Sequence, residues 1–407
     1  MGNFIARVND MKLKTIRSLP SPASYAPLSY VLGNRKPLLI RLCIKVSRVM
    51  CAWFYSLLSL VHPYKKGCGQ CASRIPDVGA RFKGLPEPCF PVDAIITWVD
   101  GSDLEYQKKI QKEHKALYPN KPIEVGRYRD NGELRYALHS LEAYAPWLRA
   151  IHLVTDGQRP SWLKKAHPKL RVVDHKDFIP AEYLPTFNSH VIEAFLRQIS
   201  DLAEHYIYFN DDVFLGRMTR KSDFFTANGL PFCFVDWRPL REFGYGWRSS
   251  PHSSSWRNAL NHIQEEGASE LDHSFIAAHG PFPQTVTNAR DAFAFYEQLI
   301  MNFAANRFRT NDEVAFYCHA APMWLYEQKR TILCDERYYY VQNGQIDRDA
   351  YYTALLNSKN DMAPPLFFCI NDTGSSPFTP WQRKDLRKVL YSYFRDISGT
   401  NGKGGEL

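Results

Sequence analysis

The chain has 407 residues, enough for a large core, with 45% apolar and 23% charged residues and a formal net charge of +9. Residues 1–80 hold twelve Lys or Arg against Asp10 and Asp77, a net +10, which leaves 39 basic and 40 acidic groups, or −1, on the rest. A neutral body excludes a nucleic-acid protein built on a basic working face, and the basic arm is drawn to an anionic surface such as a membrane.

Residues 1–37 read as a loose, proline-punctuated arm, and Met1 to Leu13 lacks the continuous apolar core of a signal peptide. Residues 38–61 place Arg41, Lys45 and Arg48 on one side of a helix and Leu, Ile, Val, Met, Trp and Phe on the other. The uncharged part, Val49 to Val61, is too short to cross a bilayer. The segment predicts either an amphipathic helix lying on an interface or a helix packed on the body with its cations reaching out. Cys68 and Cys71 form a lone CxxC without a second pair at zinc-site spacing, and the nine cysteines read as free thiols of a reducing compartment.

The body begins after Pro86, Pro88 and Pro91. Val92 to Val99 predicts a buried strand ending in Asp100-Gly101-Ser102-Asp103, and Leu104 to Tyr118 a helix. A second helix opens over Arg127 to Arg135, lines up Leu134, Leu138 and Leu141, and stops before Pro146. Strands follow at Ile151–Thr155 and Leu170–Val173, then a helix over Val191 to Glu204 with Asn188 or Ser189 as its cap. Tyr206 to Phe214 reads as a strand interrupted by Asn210-Asp211-Asp212. Strands alternating with helices from 92 to 214 imply a mainly parallel sheet. Neither a GxGxxG nor a GxxxxGK[ST] is present.

Beyond 217 the periodicity weakens. Residues 238–256 read as a long loop, 289–306 as one helix, Val314 to Trp324 as another, and Tyr338–Val341 and Leu366–Ile370 as strands. A helix over Trp381 to Arg395 closes the fold, and the tail from Gly399 is glycine-rich. The domains expected are a basic arm, 1–85, a catalytic body, 86–398, and a loose tail, 399–407.

Acidic or amide groups stand at three strand ends: Asp100 with Asp103, Asn210 to Asp212, and Asn371 with Asp372. On one sheet they would converge at one edge, where open α/β sheets bind ligands. Paired carboxylates there suit a hard divalent cation, Mg²⁺ or Mn²⁺. Arg129, Arg135 and Arg309 add phosphate-binding cations, and His190 and His279 add candidate bases.

ITWVDGSD at 96–103, the long block at 127–163, PTFNSHVIE at 185–193, YIYFNDDVFLG at 206–216, HSFIAAHGPFP at 273–283 with RFRTNDE at 307–313, and FFCINDT at 367–373 stand in the order of a known family. The chain resembles the Stealth family of hexose-1-phosphate transferases, which includes bacterial capsule polymerases and the animal GlcNAc-1-phosphotransferase. The resemblance spans roughly 92–396. It implies a GT-A-like α/β core, a UDP-sugar donor such as UDP-GlcNAc, a glycan acceptor whose hydroxyl attacks the β-phosphorus, and release of UMP.

Carried over position by position, it implies Asp211 and Asp212 as metal ligands with Asp372 as a third. Asp100, Gly101 and Asp103 would hold the nucleotide. Arg129, Asp130, Asn131 and Arg135 would face the donor, with Glu133 on a sugar hydroxyl or behind a ligand. Asn188 and His190 would sit at an anion-favouring helix start. His279 is the expected general base, and Arg309 the cation on transition-state charge. The short stretch 217–272 lacks the large insertions of animal members, which favours a bacterial enzyme of surface-polysaccharide synthesis, peripheral on the inner face of the cytoplasmic membrane. Two alternatives are a metal-dependent glycosyltransferase that releases UDP and a glycan-binding scaffold without activity.

Overall fold

The architecture follows from strands that alternate two buried faces. The computed structural model describes residues 87–396, apart from 164–167, 237–250, 268–275, 335, 337, 343–347, 361–363 and 373–378. These residues fall within one compact unit, Cys68–Leu407. The arm helix of 38–61, the CxxC and the tail lie outside the described residues.

The first half builds a Rossmann-like layer. Strand β1 (Val92–Thr97) leads into helix α1 (Leu104–Leu117), and helix α2 (Glu133–Tyr144) into β2 (Ile151–Thr155) and β3 (Leu170–Asp174). Helix α3 (Ser189–Phe195) precedes β4 (His205–Asn210), and β5 (Val213–Leu215) follows it after a two-residue turn. In the central sheet the order is β3-β2-β1-β4-β8, where β8 is Phe282–Thr285. All pairs are parallel except β4 with β8. Strand order reverses between β1 and β4, which puts a crevice beyond their carboxyl ends. Thr97 pairs with Asn210 at that edge.

Side chains on β1 and β4 serve two cores in turn. Ile95, Tyr206 and Tyr208 point into a cluster with Val191 and Phe195 of α3. Val92, Ala94, Ile96, Ile207 and Phe209 point into another with Leu134, Leu138 and Leu141 of α2. Period-two alternation with both faces apolar is the mark of a sheet covered on both sides.

Two small sheets complete the body. One pairs β6 (Phe232–Asp236) with β7 (Ile276–Ala277) and β9 (Ile332–Cys334). The other has the order β10-β11-β5, with β10 at Tyr339–Gln342 and β11 at Phe367–Asn371. The remaining helices are α4 (Pro251–Glu265), α5 (Val286–Phe295), α6 (Glu297–Phe303), a π-helical turn (Phe316–Ala320) running into α7 (Ala321–Glu327), α8 (Arg348–Asn360) and α9 (Pro380–Phe394).

Four expectations change. The helix expected over 191–204 ends at Phe195, with a 3₁₀ turn to Gln198 that Ile199 closes at ψ 124°, and Asp201 further on takes a left-handed φ of 59°. Residues 251–256, expected as loop, open α4, which buries Trp256, Ala259 and Ile263. The helix expected over 289–306 divides at Tyr296 into α5 and α6. Finally, Asn371 and Asp372 do not share a sheet with β1 and β4. They end β11, whose partner β5 continues directly from the Asp211-Asp212 turn, and the three strand ends converge through that turn.

Candidate active site

The site grows from the turn between β4 and β5. Asn210, Asp211 and Asp212 leave the central sheet and enter the second one, and the Asp212 carbonyl accepts from Ile370 N at 3.1 Å. That bond sets the end of β11 beside the carboxylates. Opposite, the β7–β8 loop carries His279. Gly280 is required there, because a Cβ would lie 2.3 Å from the ring of Phe367 on β11.

The His279 ring is polarised by its neighbours. Tyr208 donates to Asn210 Oδ1 at 2.8 Å, which turns Asn210 Nδ2 toward His279 Nε2 at 3.2 Å. Asn371 Nδ2 approaches the same nitrogen at 3.4 Å. With both amides donating, Nε2 is the unprotonated, accepting nitrogen of the ring. Asp212 Oδ1 lies 3.7 Å away, and the His279 side chain is 25% exposed. Asp212 Oδ1 is buried without a hydrogen-bond partner. Asp212 Oδ1, His279 Nε2 and Cys369 Sγ lie within 4.8 Å of one another.

One half of the site is acidic. Burial pushes the Asp211 carboxyl well above its ordinary range, and the charges of Asp212, Glu133 and Asp130 push it further. Burial raises Glu133 to about 8, although Asn131 N and Nδ2 donate to it at 2.6 and 2.9 Å. Asp130 is raised too, first by burial, while it accepts from Trp98 Nε1 at 3.1 Å and Gly132 N at 2.6 Å. Carboxylates gathered this closely, with one buried oxygen unbonded, fit a divalent cation. Asp211 and Asp212 would hold it. Asp372, expected as a third ligand, is instead engaged by the second block: it accepts two bonds from Arg129, each 3.0 Å, and one from Asn131 Nδ2 at 3.4 Å.

The other half is basic. Arg309 projects from the loop after α6 and donates to Ser189 Oγ. That loop is held by Glu313, which is fully buried and gathers Asn188 Nδ2 (2.9 Å), His190 Nδ1 (2.9 Å), Asn306 Nδ2 (3.1 Å) and Thr310 N (2.9 Å). Asn188 and His190 are 0% and 1% exposed. Burial, reinforced by the charges of Arg309 and Arg127, holds His190 well below the usual histidine range. These two residues therefore brace the arginine loop. In this structure neither faces the cleft as an anion-binding group at a helix start.

The nucleotide-end candidates sit beyond β1. Asp100 Oδ1 accepts from Ser102 N and Oγ, and Gln158 pairs with the Asp100 backbone in both directions at 2.9 and 3.0 Å. Gly101 lies against Tyr128, whose carbonyl oxygen would be 2.0 Å from a Cβ. Asp103 caps α1 by accepting from Tyr106 N at 2.8 Å. Arg135 stands in the first turn of α2 with its guanidinium 6.0 Å above the Trp162 ring.

Two site residues went unassigned in the sequence. Glu313 closes the block RFRTNDE, four residues after Arg309. Glu193 lies one helical turn after His190, 5% exposed, and burial raises its carboxyl to about 7 against the opposing charge of Arg309. It accepts from Tyr317 N at 3.4 Å, in the π-helical turn behind His279. The three-residue spacing from His190 was the available signal.

Comparison with known proteins follows this geometry. Residues 127–233 match the family described as Stealth protein CR2, conserved region 2, and residues 90–118 match Stealth protein CR1, conserved region 1. Capsular polysaccharide phosphotransferase LcbA of Neisseria meningitidis is 33% identical over 309 residues, covering 75% of this chain and 84% of that protein. Capsular polysaccharide phosphotransferase fcs1 of Haemophilus influenzae is 34% identical over 309 residues, with the same coverage of 75% and 84%. Exopolysaccharide phosphotransferase SCO6023 of Streptomyces coelicolor is 33% identical over 298 residues, covering 73% of this chain and 50% of that protein. Among solved structures, galactosyltransferase LgtC in complex with donor and acceptor sugar analogs is similar at 12% identity and a TM-score of 0.36, covering 75% of this chain and 99% of that one.

Proposed function

The chain belongs to the Stealth family, and on that premise we propose that it transfers a hexose-1-phosphate unit from a UDP-sugar to a glycan hydroxyl in capsular or exopolysaccharide synthesis. The supporting observation is the placement of His279 Nε2, approached by the side-chain amides of Asn210 and Asn371 at 3.2 and 3.4 Å and lying 3.7 Å from the unbonded Oδ1 of Asp212.

His279 takes the proton of the acceptor hydroxyl as its oxygen bonds to the β-phosphorus of the donor. The phosphorus–oxygen bond to the nucleotide breaks, UMP leaves, and a sugar phosphodiester remains. Arg129, oriented by Asp372, and Arg309, braced by Glu313, face the negative oxygens of the transferring group. Asp211 and Asp212 would hold a divalent cation, which when bound would neutralise charge on the diphosphate. Asp100 and the close backbone at Gly101 border the nucleotide end, and Asn131 and Glu133 the sugar.

The body, 86–398, carries this chemistry in the proposal. The arm, 1–85, attaches it to an anionic membrane surface on the cytoplasmic side. Among the described residues no helix is long and apolar enough to cross a membrane. Incubation with a panel of UDP-sugars and a glycan acceptor, followed by phosphorus NMR, tests the reaction. A phosphodiester with UMP supports it. UDP as the nucleotide product makes the enzyme an ordinary glycosyltransferase and overturns it.

A further inference from the structure

Helix α9 presents a face that the chemistry above does not use. Trp381, Lys384, Lys388, Tyr391 and Arg395 recur at spacings of three and four residues, which puts them in one stripe along the helix and its C-cap. The opposite stripe, Leu386, Val389, Leu390, Tyr393 and Phe394, is buried against the second sheet. On the outer stripe Trp381 is 72% and Tyr391 62% exposed, unusual for aromatics of this size. Lys384 Nζ sits 5.6 Å above the Trp381 ring.

The helix as a whole is net positive. Residues 380–396 carry five basic groups (Arg383, Lys384, Arg387, Lys388, Arg395) and two acidic ones (Asp385, Asp396), a net +3. Both acids are engaged: Asp385 by Arg348 of α8 at 3.3 Å, and Asp396 by Lys359 of α8 at 3.1 Å and by Arg395 of the stripe itself at 3.4 Å, so Lys384 and Lys388 are the cations the stripe offers. The chain's own residues 1–80, at +10, have the wrong sign to cover such a surface. Exposed Trp and Tyr interleaved with Lys along about 22 Å of helix match the headgroup zone of an anionic bilayer, where the rings sit at the polar boundary and the ammonium groups meet phosphate.

We infer that the outer face of α9 docks on an anionic lipid surface, separately from the N-terminal arm. The inference goes beyond the proposed reaction and does not depend on it. Position gives it a use. Arg387, on the flank of the same helix, donates from Nε to the Asn131 carbonyl at 2.9 Å, and Asn131 holds Glu133 and Asp372 at the edge of the site. A docked α9 therefore holds that edge near the lipid, within reach of a membrane-anchored glycan.

The full-length protein is treated with an amine-reactive acylating reagent, and labelling of Lys384 and Lys388 is read by mass spectrometry. Labelling is compared with no vesicles, with neutral phosphatidylcholine vesicles, and with vesicles containing 30 mol% phosphatidylglycerol, taken as about the charge density of an anionic leaflet. The expected result is a several-fold fall in labelling of both lysines with the anionic vesicles alone. Flotation with the same vesicles should drop about tenfold or more in the K384E/K388E variant and also fall in the W381A/Y391A variant, with melting temperatures unchanged. Unchanged labelling, with both variants floating like the parent, overturns the inference and leaves the arm as the sole contact. Protection by a soluble anionic polysaccharide but not by vesicles assigns the face to a glycan and also overturns it. Protection that grows with protein concentration in the absence of vesicles assigns it to a second copy, with the same consequence.

Discussion

In the proposed reaction His279 is the base, and that makes its removal diagnostic. His279→Ala is expected to lose about 10²–10⁴-fold in turnover with donor binding little changed. Near-parent turnover in the variant would pass the base role to Glu193, the carboxyl raised to about 7 behind the ring. Asp211 carries a second prediction. Its folded-state pKa stands well above the ordinary 3.8, so the unfolded chain releases this proton first, and rising pH through and above 3.8 disfavours the fold. Asp211→Asn removes that cost. Without added metal, its melting temperature should exceed the parent's, and by more at pH 8 than at pH 5, while turnover is mostly lost. Asp212→Asn should also lose most turnover, and full activity of the parent in excess chelator would refute the metal assignment.

At the scale of the elements, the amino end of the central sheet is tied by one carboxylate. Asp93 on β1 is fully buried, and it accepts from Arg149 Nε and Nη2 (2.8 and 2.6 Å), from His152 Nε2 on β2 (3.1 Å), and from Ala203 N before β4 (2.9 Å). Burial acts to raise its pKa, but these bonds together bring it from 3.8 down to about 2. The stabilisation is present above pH 3.8 and is lost as pH falls through 2, a contribution of about 2–3 kcal/mol. Asp93→Ala leaves the Arg149 guanidinium and the His152 ring without it and should cost about 3–5 kcal/mol by denaturant titration. A cost under about 1 kcal/mol would mean that water replaces the carboxylate.

The same scale explains what could be read from the sequence. β1, β2 and β4 were legible because each is a continuous apolar run that ends in Asp or Asn, and both of their faces are covered. β6, β7, β8 and β9 were not. Ile276-Ala277 is two residues long, and Phe282–Thr285 contains a proline at a sheet edge. The carboxylates, arginines and His279 were visible as motif residues. The division of labour among them was not, because Glu313 collects Asn188 and His190 across more than a hundred residues of sequence, and only packing shows which groups face the cleft and which brace it.

For the whole molecule, deletion of residues 1–80 separates attachment from chemistry. The truncated protein is expected to retain turnover on soluble substrates and to bind anionic vesicles more weakly, with the residual binding abolished by adding K384E/K388E. A truncated protein that precipitates or melts earlier would show that residues 38–61 belong to the core. The ion pair between Arg129 and Asp372 spans 243 residues, and β5 waits for β11 to complete its sheet. During synthesis the acidic turn at 211–212 therefore emerges long before the strand that frames it. A nascent chain that has not yet reached Phe367–Asn371 therefore has the acidic turn without its framing strand, and on the proposed reaction it is expected to show no turnover.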